Sequence, residues 1–405
     1  MTDVLPRILD TNAEFVSIRR RIHAHPELSL EEHDTSDLVA ERLHNWGYEV
    51  YRGLAKTGVV GTLKVGDGTG RLGLRADMDA LPISETTGLP YASQNSEVMH
   101  ACGHDGHTAI LLCAARYLSE TRHFSGTLNV IFQPAEERYC GAKIMVNEGL
   151  FEKFPCDMVF ALHNRPGEPM GKFGFLAGSF MASSDTVYIT IQGKGGHGAT
   201  PHLASDPVIA AAHIVIALQT IVSRNTDPLD TAVISIGEIS GGTVSNVIPE
   251  SVRLTLSVRA LRPEIQRFLH DRIVAVVEAQ AATLGCKATV DYQWGCPAVV
   301  NDVAATEFAR QVALDWVGCD GLIPDMRPTA GAEDFSFMLQ AVPSCYFIVG
   351  NGTSGGHADR RSRRVEDVDA SSSTRAQQAI SDQYGAGPAP PVRPRTSRRS
   401  AGIRR

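Results

Sequence analysis

No stretch of this 405-residue chain approaches the roughly 18 consecutive apolar residues of a membrane span. The longest candidate, 207–222, is interrupted by His213 and Gln219, so no membrane is expected as a partner. The opening MTDVLPRILDTNAEF mixes acids and bases and lacks the apolar core of about 7–15 residues that a secretory signal carries. Cysteine is thinly spread: eight residues, scattered singly, read as reduced thiols and a cytoplasmic location rather than a disulfide framework. Cys113 and Cys345 have the apolar neighbours of core cysteines. A general excess of positive charge is missing too. The formal net charge is −7, yet residues 357–405 hold eleven arginines, no lysine and five acids, so the rest of the chain is more acidic than the whole. An acidic body excludes nucleic acid and anionic membrane as the main partner.

What is present is enough apolar material for a large core: 43% hydrophobic against 20% charged residues, in a chain long enough for two or three domains. Residues 12–50 carry a helical pattern that ends at Gly47 and gives way to an extended stretch from Glu49. Strands at 58–65, 71–76, 127–132 and 157–162 then alternate with helices at about 107–120 and 141–148. That rhythm predicts an α/β sheet covered on both faces. It breaks at 184–292, where the pattern is strand 187–193, helix 207–223, strands 232–238 and 252–259, helix 263–284 and strand 287–292. The order β-α-β-β-α-β is ferredoxin-like. A helix at 302–316 and a strand at 345–349 resume the first rhythm. The expected division is therefore 1–183 with 293–356 as one α/β domain, 184–292 inserted into it, and 357–405 as a basic tail. Residues 358–405 contain no Leu, Phe, Trp or Met, so they are expected to remain disordered.

Several of the predicted strands lead into groups with metal chemistry. Asp77 and Asp79 follow RLGLRA, Glu136 and Glu137 follow LNVIFQPA, and His163 follows DMVFAL. The segment Met99-His-Ala-Cys-Gly-His-Asp-Gly-His107 precedes a helix. Ligands of open α/β sheets bind beyond the carboxyl ends of the strands, which is where these groups converge. A thiolate, imidazoles and carboxylates suit zinc, manganese, cobalt or nickel. Between Cys102 and His104, Gly103 permits the tight backbone that lets both side chains reach one centre. A chance His-rich loop does not explain Cys, three His and Asp within eight residues of a helix start. Two adjacent acids at a buried strand end repel unless a cation compensates one of them. A metal ligand beside a general base, the latter taking a proton from the activated water, resolves the conflict better than a solvated pair at a helix start. His163 alone would more often be a satisfied strand-end histidine. His197 lies on a flexible loop able to approach the site, and Arg259 can pair with a substrate carboxylate or make an ordinary salt bridge.

His100-Ala-Cys-Gly-His-Asp-Gly-His-Thr108, Phe132-Gln-Pro-Ala-Glu-Glu137 and Ala161-Leu-His163 resemble motifs of the hippurate hydrolase, N-acyl-amino-acid amidohydrolase and auxin-conjugate hydrolase group. That group belongs to the wider aminoacylase and carboxypeptidase-G-type metallohydrolases. The resemblance runs from about Arg19 to Gly350 and implies a catalytic domain with two divalent metal ions and an inserted dimerisation domain. By position it implies Cys102, His104, Glu137 and His163 as metal ligands, Glu136 as the base and Asp77 as a supporting acid. It also implies His197 as an oxyanion stabiliser, within the chain or across a homodimer, and Asn246 and Arg259 as contacts to a small N-acyl amino acid substrate. Gly331-Ala-Glu-Asp-Phe335 matches as well, without a role that chemistry assigns. The expected activity is metal-dependent amide hydrolysis. Its alternatives are a dipeptidase or carboxypeptidase on the same scaffold, or an inactive metal-binding protein. The last follows from one departure: where the family continues to a final ligand histidine, this chain reads His357-Ala-Asp-Arg360, and the tail has the bias of an out-of-frame translation.

Overall fold

The computed structural model describes residues 4–138 and 140–352. The expectations for 357–405, including His357 and Arg360, lie outside these residues.

The larger of two main sheets has seven strands in the order Glu49–Leu54, Gly58–Val65, Gly126–Gln133, Arg71–Asp77, Met158–Arg165, Ser344–Gly350 and Phe173–Gly174. From Gly126–Gln133 to Ser344–Gly350 the pairing is parallel, and the outer strands are antiparallel. These central strands are near-continuous apolar runs because both of their faces are covered. Alternation assigns the faces residue by residue. In Ser344–Gly350, Cys345, Phe347 and Val349 face the core beneath helices Val4–Ala24, His33–Asn45, His104–Thr121 and Val303–Val317, while Tyr346 and Ile348 face the core of the opposite side. In Met158–Arg165, Phe160 and Leu162 take the first face, and Val159 and Ala161 the second. His163 therefore follows Ala161 toward the second face, and Asn164 follows Leu162 toward helix His104–Thr121.

The second sheet has the order Ala232–Ser240, Ser251–Ala260, Ser184–Gln192 and Lys287–Cys296, antiparallel throughout. Its strands alternate buried and exposed residues, and helices Pro207–Thr220 and Pro263–Thr283 cover one face. Each fully buried Val, Leu or Ile in that core contributes roughly 1.5–3 kcal/mol. The β-α-β-β-α-β order and the α/β class are as the sequence predicts. Two readings need correction. The helical pattern that ends at Gly47 is two helices, Val4–Ala24 and His33–Asn45, parted around Pro26, because proline disfavours helical backbone in the residue before it. The helix Pro207–Asn225 does have the length and apolar composition of a span, but it packs its buried face on the second sheet.

Between the sheets, the chain crosses at 181–184 and 296–299. The Ser183 amide donates to Ala260 O (2.8 Å) and Arg259 Nη1 donates to Ala330 O (2.9 Å), joining the two units.

Candidate metal centre

Backbone conformation delivers the first donors. Strand Arg71–Asp77 ends at Asp77, and the loop before helix His104–Thr121 passes through Gly103 at φ +93°, where a Cβ would stand 2.5 Å from Asn164 Oδ1. Any other residue there would force Cys102 and His104 apart or displace Asn164. After strand Gly126–Gln133 the chain turns through Ala135, which holds φ +58°. Left-handed backbone at a residue with a Cβ costs about 1–2 kcal/mol. It is held by hydrogen bonds from Ala135 N to Glu32 Oε1 (2.9 Å) and from Gly141 N to Ala135 O (2.9 Å). This strained turn aims Glu136 and Glu137 at the loop of Cys102.

Buried acids orient the imidazoles. His104 Nδ1 donates to Asp79 Oδ1 (3.1 Å), and Asp79 Oδ2 accepts from Ser29 Oγ (2.7 Å) and Glu137 N (2.9 Å). His107 has its Nδ1 on Asp77 Oδ1 (2.6 Å) and its Nε2 on Asn164 Oδ1 (2.7 Å), so neither nitrogen is left for a ligand. His163 Nδ1 donates to Asn164 O (2.6 Å), which leaves Nε2 facing Cys102 Sγ at 3.4 Å. The donors that remain form one group. Among the described residues, His104 Nε2 and Glu137 Oε1 are buried without hydrogen-bond partners, and they lie 4.0 Å apart. Cys102, His104 and His163 offer atoms that all lie within 4.8 Å of one another, as do His104, Glu136 and Glu137. Two orphaned buried atoms facing a thiol and a free imidazole nitrogen are what a divalent cation would satisfy.

Electrostatics point the same way. Burial pushes the Cys102 thiol up to about 11, with Glu137 adding to the effect, so a thiolate there needs a cation beside it. Burial would lower His104, but Asp77 and the bond to Asp79 overcome it and raise it well above the usual value. His163 is held well below the usual value by burial and by His107, which keeps Nε2 free to coordinate. Glu136 is pushed well above the carboxylate range by burial and then by Glu333, Glu137 and Asp334.

Sequence reasoning missed the counterweight to these acids. Arg75, fully buried, donates to Gln133 Oε1 (2.8 Å), Asp77 Oδ2 (2.7 Å), Glu333 Oε1 (2.9 Å) and Asp334 Oδ1 (3.3 Å). Glu333 and Asp334, in the segment that matched without a role, thus complete an arginine cage beside Glu136. The available signal was an arginine in the middle of the apolar strand RLGLRAD. The acid that orients His104 is Asp79, while Asp77 holds His107 and Arg75.

These groups open into a cavity of about 770 Å³ walled by both units, including Cys102, Glu136, Glu137, His163, Arg259 and Tyr346. The structure does not bring His197 and Asn246 to it. They stand together on the inserted unit, where Gly198 N donates to Asn246 O (2.8 Å) and Val247 pairs with an exposed His197.

Residues 73–377 match the model of peptidase family M20/M25/M40. The chain belongs to this family. A hippurate hydrolase of Campylobacter jejuni is 44% identical over 86% of this chain and 91% of its own length. An N-acetyl-L-cysteine deacetylase of Bacillus subtilis is 40% identical over 85% and 81%. Among solved structures, the Bacillus subtilis YXEP protein, a dinuclear metal-binding M20 peptidase, is 30% identical at a TM-score of 0.80, covering 93% of this chain and 98% of its own. This M20 chain is a metal-dependent hydrolase of amide bonds, as its motifs predict, and its fold is that of the family's solved members.

Proposed function

We propose that the chain hydrolyses the amide bond between an acyl group and an amino acid in small N-acyl amino acids, with two divalent metal ions held by Cys102, His104, Glu137 and His163. The single observation that carries this reading is the set of unsatisfied donors beside Glu136: buried His104 Nε2 and Glu137 Oε1, with Cys102 and His163 closing the group. Bound metal supplies a water of lowered pKa and an electrophilic pull on the scissile carbonyl. Everything else falls to the chain. Glu136 takes the proton from the attacking water and returns it to the leaving nitrogen, work that suits a carboxyl whose affinity for protons is raised by burial and by its acidic neighbours. Arg259, fixed through Ala330 O, offers its guanidinium to the substrate's carboxylate. Arg75 offsets part of the charge of Glu333 and Asp334, and what remains holds Glu136 toward its protonated form.

His197 and Asn246 fit the same reading if a second copy brings them. Both residues are exposed, and the inserted unit has an edge strand at Ala232–Ser240 with Ile239 exposed, and an apolar helix face of Val208, Ile209 and Ile216. A homodimer through this unit covers that face and places His197 to stabilise the oxyanion of the partner's substrate. The test is release of benzoate and acetate from N-benzoyl and N-acetyl amino acids, with and without added manganese. Turnover that needs metal and disappears in Glu136→Gln supports the reading. Hydrolysis of free dipeptides in preference, or no release with any divalent ion, overturns it.

A further inference from the structure

Two cysteines outside this donor set face each other across the seam between the sheets. Cys140 ends the loop that carries Glu136 and Glu137, immediately before helix Gly141–Asn147, and Cys296 ends the inserted unit's strand Lys287–Cys296. Their sulfurs are hydrogen-bonded at 3.4 Å although 156 residues separate them along the chain. Both are half-buried and both border the cavity, so a small reagent can reach them.

Neither sulfur sits on a loose segment. Cys140 has left-handed backbone at φ +53°, and the loop before it is folded back so tightly that a Cβ on Gly141 would lie 1.8 Å from Pro134 O. On the other side, a ladder irregularity between Gln293 and Cys296 sets Cys296 opposite Ser184. Gly295 N donates to Asp185 Oδ1 (3.0 Å), and buried Asp185 also accepts from Gln266 and Tyr292. The hydrogen bond with Cys296 brings the Cys140 thiol down to about 7 against the opposing effect of burial, with Lys143 helping, and the Cys296 thiol is raised in return.

We propose that Cys140 and Cys296 form a reversible oxidation site whose disulfide ties the Glu136–Glu137 loop to the inserted unit at the mouth of the catalytic cavity and lowers turnover. The oxidant is a small-molecule disulfide such as oxidised glutathione. The Cys140 thiolate attacks one of its sulfurs, forming a mixed disulfide and releasing one thiolate. The Cys296 thiolate then attacks the sulfur of Cys140, closing the protein disulfide and releasing the second thiolate. The protons of the two cysteines end on the two released thiols, and the oxidant takes the two electrons. Glu136 precedes Cys140 by four residues in the same tight turn, so drawing the two segments together moves the base, and displacement of a catalytic group by about 1 Å can cost on the order of 100-fold in rate.

The test uses the full-length, metal-loaded protein equilibrated with graded ratios of oxidised to reduced glutathione. Peptides are mapped by mass without reduction, and turnover is measured before and after dithiothreitol. We expect a Cys140–Cys296 crosslink, a fall in turnover of about tenfold or more that dithiothreitol reverses, and no such response in Cys140→Ser or Cys296→Ser, each compared with its own reduced form. A crosslink involving Cys102, a glutathione adduct on Cys140 that never closes, or a closed disulfide with unchanged turnover each overturns the proposal. The crosslink is read by mass alone, so its absence counts against this site whatever the substrate proves to be, and wild-type mapping decides if a serine variant does not fold.

Discussion

The two sheets of this molecule solve opposite problems. The inserted sheet buries Val187, Ile189, Leu254, Leu256 and Val258 against two helices and leaves its ion pairs, such as Arg262 with Asp230, toward the surface. The seven-stranded sheet ends in a buried concentration of charge, with Arg75 facing Asp77, Glu333 and Asp334, and with His104 facing Asp79 and Glu137. An apolar core stabilises by burial alone. A buried charge cluster stabilises little by itself and costs heavily when one member is removed, because the rest stay buried without compensation. Apolar burial holds both sheets, and the buried charge is concentrated at one end of the seven-stranded sheet, a contrast that can be broken at chosen residues.

The largest effect is expected at Arg75. Arg75→Met removes the guanidinium shared by Asp77, Glu333 and Asp334 and should cost about 3–5 kcal/mol in urea unfolding. The same change at Arg262, whose side chain is 55% exposed, should cost less than about 1 kcal/mol. Equal losses at the two positions would dissolve the distinction. Next is Glu136→Gln, which keeps the shape of the side chain and removes the base. Turnover should fall by roughly 100-fold or more, with metal stoichiometry unchanged by atomic absorption. Near-wild-type turnover would remove Glu136 from the mechanism.

Metal removal sharpens the comparison further. A ligand present at about 100 times its dissociation constant stabilises by about 2.7 kcal/mol. Chelation should withdraw that from the half that binds it. In hydrogen exchange, amides near Asp77, Gln133 and His163 should lose protection, while those of Ser184–Gln192 and Ser251–Ala260 keep theirs. Uniform loss would show that the two sheets open as one cooperative unit. Cys102→Ser should shift the metal titration in the same direction, since a hydroxyl is a far poorer ligand than a thiolate at neutral pH.

The contrast also accounts for what the sequence could tell. The inserted unit was legible because its strands alternate and its helices are bounded by Pro207, Pro263 and Gly285, all local signals. The loop proposed to bind metal was legible as a candidate because Cys102, Gly103 and His104 are adjacent. The arginine cage was not, because Arg75 meets Glu333 across 258 residues and a lone arginine in a strand does not name its partners. The Cys140–Cys296 contact is equally non-local. The role of Asp79 over Asp77 was out of reach too. Both follow the same strand, and only the placement of His104 at the first turn of its helix, one turn earlier than periodicity suggested, decides which acid its Nδ1 meets.

The smallest effect on stability is expected where the inserted unit shows apolar surface. Ile216, 70% exposed on helix Pro207–Thr220, contributes little to the core beneath it, so Ile216→Ser should leave urea unfolding of the monomer within about 0.5 kcal/mol of wild type. If the exposed face of Val208, Ile209 and Ile216 is covered by a second copy, the same change weakens association, which sedimentation over a concentration series measures directly. Turnover then decides whether association matters for chemistry. With His197 supplied by the partner, activity per chain should fall as Ile216→Ser is diluted and recover as it is concentrated. His197→Ala should stay impaired at every concentration. Mixing it with Glu136→Gln should restore part of the activity, since each inactive chain supplies what the other lacks. A wild-type protein that is monomeric at full activity, or a mixture that regains nothing, would confine the chemistry to one chain, and wild-type turnover in His197→Ala would leave His197 without a part in it.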